Sequence, residues 1–422
     1  MRYLTLACLC LATLVSFTGW WCLAQRPAPA PAAAPVAKGL KVHEWGVFRV
    51  HDDIEWANAD ARAEWDGLPR FVYGQTTGRD FPRRLDNMRP VFKPVIFFHA
   101  PRAMRATVRV DFPRGVPAVW WPATQSPAIS DDDFQGPVER PVRPVRSLEW
   151  GMDLKNLRGP EAIEIVRRPV DKAHWMSKLR DVKSDDVYVS VSNAFPSFER
   201  EGFVYYDGLL PAVQALSVTI DKGSARLKNE AKFAIADVWL VERRDAEKPR
   251  VARLPRLAAR EVKDVDLAAM KEADWADDAA KSLTAELKAA GLNEDEAQSL
   301  AAIWKDDFFS SPGVTLLYRL PQEEYDRLLP LTVKPRPEKV VRVGLVQQVP
   351  FDKDMAERVR RLVKQLDDDD FDAREAVQKE LEKLSRAAYG HLKGWQPKVV
   401  APEAKRRVQA VLEKLDSQRS FR

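Results

Sequence analysis

Between residues 39 and 250 the chain consists mainly of short apolar runs separated by Pro, Gly, Asn and Asp. Several runs alternate, so that Val187 and Val189 share one side of a strand, as do Val108 and Val110. The segment DKG at residues 221–223 lies between two runs and predicts a tight hairpin, because glycine adopts a positive φ readily. Many short strands with frequent turns predict an antiparallel, sandwich-like β-rich domain.

The first of these runs, KVHEWGVFRV at residues 41–50, predicts a strand in which both faces carry apolar and charged side chains. Strand alternation places Glu44 and Phe48 on one side and His43 and Trp45 on the other. Apolar and charged residues occur on both sides, which favours a strand that lies between other elements over a surface hairpin. Further strands are predicted at residues 91–99, 106–112, 118–121, 187–192, 203–206, 216–221, 225–229, 233–243, 314–320 and 340–346.

The hydrophobic period changes from 2 to 3.6 at about residues 273–309, which predicts a helical hairpin inserted into the β-rich domain. Leu283 and Leu287 share one helix face, and Gly291 suits the residue after a helix end. Asn293 with Glu296 three residues later resembles a capping box that begins the second helix. The apolar stripe of that helix is predicted to contain Ala297, Leu300, Ala301, Trp304 and Phe308.

Residues 351–422 show only helical periodicity, with three amphipathic helices predicted within them. The predicted fold class is therefore α+β: an antiparallel, sandwich-like domain at residues 39–350 with the inserted hairpin, followed by a small all-α domain at residues 351–422. Such a helical domain is near the lower size limit for independent folding.

Residues 1–24 are predicted to be a signal peptide, because a short positive start precedes an uncharged apolar run. Small residues before Gln25 suit cleavage there. The run is also long enough to span a bilayer, so an uncleaved N-terminal anchor is the alternative. Residues 25–38 are a Pro/Ala-rich linker. We therefore expect an exported protein, periplasmic or secreted, that touches the membrane only through an uncleaved N-terminal segment.

Composition excludes several function classes. The chain has 67 basic and 62 acidic residues, spread along its length, and a formal net charge of +5. Such a balance offers no basic footprint for nucleic acid, and we predict no such partner. The three cysteines, Cys8, Cys10 and Cys22, all lie in the N-terminal segment. A mature chain without that segment has no disulfide, thiolate nucleophile or cysteine-based metal site.

Seven stretches occur in an order that resembles an uncharacterised family of exported bacterial proteins, common in planctomycete-type genomes, with an HEWGTF-like opening. The stretches are HEWGVF (43–48), KPVIFFH (93–99), DFPRGVPAVWWP (111–122), LEWGMDL (148–154), EGFVYYDGLLP (201–211), GLNEDEAQSLAAIWKDDFF (291–309) and LLPLTVKPRPEKVVRV (328–343). The family more often has Thr where this chain has Val47, and an Arg-Gly pair where it has Asp207-Gly208. The resemblance implies no specific activity.

The C-terminal part separately resembles HEAT-like helical modules that such bacteria append to exported proteins. The resemblance rests on LDDDDFDAREAVQKELEKL at residues 366–384 and PEAKRRVQAVLEKL at residues 402–415. Relatives of this module are interaction surfaces, so the resemblance implies a binding role and no chemistry.

His43, Glu44, His51 and Asp53 are the candidate site residues. His43 and Glu44 are catalytic candidates, although neighbours on a strand point to opposite faces. His43, His51 and Asp53 have matching parity, which predicts a metal site with a fourth ligand from elsewhere in the fold. The alternative is that His43 is hydrogen-bonded in the core and that a polar loop begins at His51. The chain has no HExxH pattern, glycine-rich phosphate loop or nucleophile elbow.

These observations support two functions. The first is a non-enzymatic binding or scaffold protein of the cell envelope, whose C-terminal helical domain contacts another envelope protein; this hypothesis predicts no cofactor. The alternative is a hydrolase acting on polysaccharide or peptide through the His43/Glu44 region, with or without a divalent metal. A polysaccharide hydrolase would need two of the carboxylates of Glu44, Glu149, Glu201 and Asp207 to meet in one cleft.

Overall fold

The computed structural model describes residues 35–51, 65, 67–74, 88–125, 146–155, 165–191, 198–211, 213, 215–243, 249–272, 276–310 and 313–417. Residues Ala37–Arg422 group into one compact unit. The predicted signal peptide and most of the linker lie outside the described residues. The predicted boundary near residue 350 and the other domain limits stay predictions.

The strand content is high and confirms a mixed α+β, strand-rich fold. The strands are β1 (Val36–His51), β2 (Tyr73–Gly74), β3 (Met88–His99), β4 (Met104–Asp111), β5 (Val116–Trp121), β6 (Ser147–Leu154), β7 (Ile165–Val166), β8 (Val187–Ser190), β9 (Phe198–Glu201), β10 (Val204–Pro211), β11 (Leu216–Asp221), β12 (Ser224–Asn229), β13 (Ile235–Arg243), β14 (Arg250–Leu257), β15 (Val262–Asp266), β16 (Lys271–Glu272), β17 (Gly313–Leu320), β18 (Leu331–Lys334) and β19 (Arg336–Val349).

The strands form three sheets. A ten-stranded sheet has the order β16-β14-β13-β17-β19-β1-β3-β10-β5-β2. A six-stranded sheet has the order β18-β4-β6-β8-β9-β7, and a three-stranded sheet has the order β11-β12-β15. The pairs β1–β3, β4–β6 and β13–β17 are antiparallel, whereas β7 and β9 are parallel. The predicted hairpin at residues 221–223 is confirmed, with Lys222 at φ 53° and Gly223 at φ 72° between β11 and β12.

Strand β1 lies between β19 and β3 in the middle of the largest sheet, as its two mixed faces predict. In its pairing with β3, Trp45 faces Val95 and Val47 faces Phe92, so β3 carries one extra residue. Lys93 has φ 50° at this point. The following residue is Pro94, which has no N–H to donate to a ladder. A bulge at Lys93–Pro94 therefore accommodates the positive φ of Lys93 and the missing N–H of Pro94. The side chains of β1 continue to alternate between the two faces.

Both faces of the ten-stranded sheet are covered. On the side that we call sheet-facing, Val42 and Phe48 of β1 pack in one core with Val108 and Trp150 of the six-stranded sheet and with Leu227 of the three-stranded sheet. On the opposite, helix-facing side, residues of β1 pack in a second core with helices. That core includes Trp45, Val47, Leu283, Leu300 and Trp304. A strand covered on both sides needs apolar residues at consecutive positions, as β1 has.

The helices are α1 (Met176–Leu179), α2 (Ala276–Ala289), α3 (Glu294–Phe309), α4 (Gln322–Leu328), α5 (Lys353–Gln365), α6 (Phe371–Lys383), α7 (Ser385–Trp395) and α8 (Pro402–Ser417). The predicted hairpin corresponds to α2 and α3, and all five residues of its predicted apolar stripe are buried. Gly291 has φ 109°, which explains glycine after α2. Among the described residues, no helix has both the length and the apolar character needed to cross a bilayer.

The prediction of three helices after residue 351 is wrong, because residues 353–417, which the structure describes, form four. Leu384 is the C-cap residue of α6 and also the N-cap residue of α7. No turn residues therefore separate these helices in the sequence, and Gly390 and Gly394 weaken the helical pattern of α7. Helix α4 and strand β6 were also not expected. Together α5–α8 enclose a core of their own that includes Val359, Leu381, Leu392 and Val408.

Gly208 of β10 is expected to be indispensable for packing. A Cβ atom at this position would lie 2.7 Å from the carbonyl oxygen of Val116 and would overlap the ring of Phe112. We expect Gly208→Ala to lower the free energy of unfolding by about 1–3 kcal/mol, as overpacked cores do. Gly394 of α7 is the matched control, because nothing lies within 4 Å of the position that a Cβ atom would take there. Gly394→Ala should be neutral or stabilising in urea unfolding; equal losses in both variants would contradict the packing argument.

Candidate functional site

Strand β1 directs His43 and Glu44 to opposite faces of the ten-stranded sheet. His43 contacts helix α3 on the helix-facing side, and Glu44 contacts Tyr206 on the sheet-facing side. Both residues are buried, with 3% of His43 and 0% of Glu44 exposed. The prediction that the two side chains diverge is confirmed. The hydrolase hypothesis requires a cleft lined by both residues, whereas each of them is surrounded by buried protein groups.

Glu44 belongs to a buried ion pair. The Nε atom of Arg342 donates to Oε2 of Glu44 at 2.6 Å, and both side chains are fully buried. The hydroxyls of Tyr206 and Tyr325 donate to Oε1 of Glu44, that of Tyr325 at 3.1 Å. Arg342 also donates to the carbonyl oxygen of Leu329 at 2.7 Å. Glu44 thereby connects β1 to β10, β19 and α4.

The two tyrosines that contact Glu44 remain neutral. Burial raises the pKa of Tyr206 and Tyr325 well above the ordinary tyrosine value, and the carboxylate of Glu44 raises it further. Burial opposes the charge on Arg342, but Glu44, Tyr325 and Tyr206 together outweigh this effect and raise the pKa of the guanidinium. The tyrosines are therefore neutral donors. A carboxylate with these partners and no exposure cannot contact a substrate.

His43 belongs to a second buried cluster, with His99 and Glu296. The Nδ1 atom of His43 lies 2.8 Å from Oε2 of Glu296, and Nε2 of His99 lies 2.8 Å from Oε1 of the same carboxylate. The two imidazole rings are tilted, with centroids 5.0 Å apart. The cluster reaches the surface at His99, whose side chain is 21% exposed. Imidazole and carboxylate are ligand types for divalent transition metals.

Glu296 occupies this position because it is the third residue of α3. Its Oε2 atom accepts a hydrogen bond from the backbone N–H of Asn293 at 2.7 Å, so the predicted capping-box contact is present. Burial disfavours the carboxylate, but the hydrogen bonds from His43 and His99 outweigh it and lower the pKa of Glu296 to about 2. One carboxylate therefore begins α3 and joins the helix to β1 and β3.

The predicted metal set of His43, His51 and Asp53 is wrong in pairing the two histidines. Both lie in the single strand β1. Eight residues of strand separate them by about 26 Å, which no two ligands of one ion can span. Asp53 lies outside the described residues. His99 and Glu296 were missed, although they occur in two of the resembling stretches, because only the tertiary pairing brings them to His43.

The four carboxylates of the polysaccharide-hydrolase hypothesis do not share one cleft. Glu44 is on the sheet-facing side of the ten-stranded sheet, whereas Asp207 accepts from Tyr205 in the helix-facing core at 2.9 Å. Glu201 is fully buried and accepts from an arginine at 2.6 Å. Glu149 is partly exposed on the six-stranded sheet, near Arg109. Opposite sheet faces separate Glu44 from Asp207.

A cleft of about 460 Å³ lies elsewhere, between the β11–β12 hairpin, the adjoining ends of β13 and β17, and helices α5 and α6. Its lining combines apolar side chains such as Met355 with charged groups of both signs. Lys222, Arg243 and Arg358 are the cations, and Glu242, Asp352 and Asp354 supply carboxylates. Burial raises the pKa of Asp352, and its neighbours Asp354 and Glu242 add to the rise.

Replacing Glu44 tests the ion pair. Glu44→Gln keeps the side-chain volume but removes the buried counter-charge of Arg342 and leaves it only the half-exposed carboxylate of Asp326, 2.8 Å from its Nη1 atom, so we expect a loss of about 3 kcal/mol in the free energy of unfolding. Glu149→Gln is the matched control, since a partly exposed pair contributes less than about 1 kcal/mol. Urea unfolding followed by circular dichroism measures both. A loss at Glu44 no larger than that at Glu149 would show that the buried pair is not needed.

No family model matches the chain, and no curated protein matches it either. Among solved structures, the yeast delta-COP-I mu-homology domain complexed with a Dsl1 WxWxV peptide aligns with 75% of this chain and 98% of its own chain. The identity is 10% and the TM-score is 0.24. A TM-score this low carries no argument about fold or function, so a functional assignment rests on the geometry of the chain itself.

Proposed function

We propose that this chain is an exported, non-enzymatic binding protein of the cell envelope. The observation that carries the proposal is the cleft of about 460 Å³ between the strand-rich part and the C-terminal helices. Its volume lies in the range of pockets that hold small molecules, and such pockets are frequent where two folded parts meet. Export and the envelope location rest on the N-terminal sequence alone.

The walls of the cleft are held together by specific contacts, which supports a preformed site. The carboxylate of Asp354 accepts hydrogen bonds from the backbone N–H groups of Lys222 at 3.0 Å and Gly223 at 2.8 Å. These two residues form the turn of the β11–β12 hairpin. Ile220 and Asp352 form a further β-bridge beside the turn. The start of α5 is thus fastened to the hairpin, and a ligand would meet walls that are already in place.

The charged lining suggests a ligand that carries both signs. The buried Nε–H of Arg243 has no hydrogen-bond partner in the part of the chain that the structure describes, although its Nη1 atom donates to the carbonyl oxygen of Ser310. A carboxylate of the ligand could accept from this donor. Burial raises the pKa of Asp352, which also lines the cleft, and an ammonium group of the ligand would lower that pKa by stabilising the carboxylate. Free amino acids and short peptides have this combination of charges.

The finer architecture is part of the proposal. We infer a sandwich-like domain formed by the three sheets, with α2 and α3 as its helical insertion, and a HEAT-like module formed by α5–α8. The separate apolar core of α5–α8 supports the second inference. Phe371, at the start of α6, is 58% exposed and offers a contact for another envelope protein. The resemblance to exported planctomycete-type proteins is compatible with this role.

The hydrolase alternative has less support from the geometry. Glu44 is saturated by Arg342 and two tyrosines, and His43 is 3% exposed and bonded to Glu296. A general acid, base or nucleophile must come within hydrogen-bond reach of its substrate. Neither residue borders the cleft described above. A binding role therefore uses the accessible site, and the hydrolase hypothesis uses residues that solvent does not reach.

A cavity-filling variant tests the binding role. We expect a panel of free amino acids and dipeptides to contain ligands that raise the Tm of the protein, by about 3 °C at 100 times Kd for a chain of this size. Met355→Trp should abolish the shift by filling the cleft, whereas Lys364→Trp, on an exposed position of the same helix, should retain it. Differential scanning fluorimetry measures all three proteins. The proposal fails if no panel member shifts the native protein or if both variants lose the shift equally.

A further inference from the structure

We propose that His43, His99 and Glu296 bind one divalent transition-metal ion, which fastens the inserted helical hairpin to the central strands of the sheet. The site is separate from the cleft and does not depend on the proposed binding function. Its three residues come from β1, β3 and α3, so an ion here would join elements that lie 253 positions apart in the chain.

The backbone places the two histidines side by side. In the antiparallel pair β1–β3, His43 faces Phe97 and Lys41 faces His99. His99 is therefore the diagonal neighbour of His43 on the same face of the sheet, at a distance that long and aromatic side chains can bridge. Glu296 approaches this face from the first turn of α3. The ligand atoms of the three residues all lie within 4.8 Å of one another.

The distances suit a common ion after a small rearrangement. Each imidazole nitrogen lies 2.8 Å from an oxygen of Glu296. Ligands bound to one zinc ion at the tetrahedral angle and at about 2.1 Å are separated by about 3.4 Å. The nitrogen–oxygen separations therefore have to lengthen by about 0.6 Å, and the part-exposed His99 is the side chain able to move. Transfer of each bridging proton to the other ring nitrogen frees the lone pair that would bind the ion.

The charge of the cluster supports a missing cation. Two other fully buried glutamates, Glu44 and Glu201, are each paired with an arginine. Glu296 is equally buried, yet within the described part of the chain its ion-pair partners are only the two histidines. A divalent ion would place a positive charge beside Glu296, as the arginines do beside Glu44 and Glu201.

The hydrogen bonds of His43 also point to the cluster alone. Its Nδ1 atom contacts Glu296, while its Nε2 atom is buried and has no hydrogen-bond partner among the described residues. The ring is therefore held by the contact of Nδ1 with Glu296, and Nδ1 is the atom that would ligate the ion.

Asn293 is placed to be a fourth ligand. Its side-chain amide lies 3.2 Å from Nε2 of His99 and is exposed to solvent. Its oxygen accepts from the backbone N–H of Glu296 in the capping box, so rotation toward the ion would exchange that contact for ligation. Two imidazoles with carboxylate and amide oxygens favour Zn²⁺ and related first-row ions, whereas Mg²⁺ and Ca²⁺ prefer sites made of oxygen alone.

The test is metal content of the full-length protein after equilibration with Zn²⁺ and dialysis, measured by mass spectrometry. We expect one equivalent in the native protein and in His391→Ala, a control histidine on α7. His99→Ala and Glu296→Gln should bind Zn²⁺ at least tenfold more weakly. Addition of a chelator should lower the Tm of the native protein by several degrees and leave that of His99→Ala unchanged. A large excess of Mg²⁺ should not displace Zn²⁺.

A native protein without Zn²⁺, or a His99→Ala variant that retains a full equivalent, would overturn the site in favour of a purely hydrogen-bonded His–Glu–His chain. Should Glu296→Gln fail to fold, the decision rests on His99→Gln, a change at the exposed edge of the cluster. Native protein loaded with Co²⁺ gives an independent readout, because imidazole ligation alters the visible absorption of the ion. An unaltered Co²⁺ spectrum contradicts the proposal.

Discussion

The buried ion pair between Glu44 and Arg342 is the interaction on which the central strands depend. Desolvation costs several kcal/mol per ion and is recovered only when the geometry is good and the remaining donors are satisfied. Tyr206, Tyr325 and the carbonyl oxygen of Leu329 supply most of these contacts. Because a slip of one residue would leave a charge buried and unpaired, the pair specifies the register of β1 against β19 and the position of α4.

On the other face of β1, His43, the neighbour of Glu44, connects the strand to helix α3. His43 contacts Glu296, which also begins α3, so the helical hairpin is attached to the strand that carries Glu44. Two successive residues of one strand therefore fasten the two layers that cover the ten-stranded sheet. This arrangement accounts for a histidine and a glutamate side by side in a buried stretch of strand, without assigning catalysis to either. The candidate binding cleft lies apart from both residues, at the C-terminal helices.

Local patterns predicted the elements well where a pattern is complete within one segment. The alternation of β1, the turn at Lys222-Gly223 and the capping contact of Glu296 each depend on residues close in sequence. Local patterns failed for α7, which follows α6 without a turn, and for the metal set, where matching parity ignored the length of a continuous strand. Parity specifies the face on which a side chain lies but not its distance from another residue.

The amino-acid sequence by itself determined a strand-rich chain, a helical hairpin within it, a helical C-terminal part and the opposite orientations of His43 and Glu44, because alternation, period and capping are local properties of a polypeptide. Only the tertiary structure decided which partners these residues meet. Arg342 lies 298 positions from Glu44, and Glu296 lies 253 positions from His43. Contacts over such separations depend on strand order and layer packing, which many sequences with the same local patterns could arrange differently.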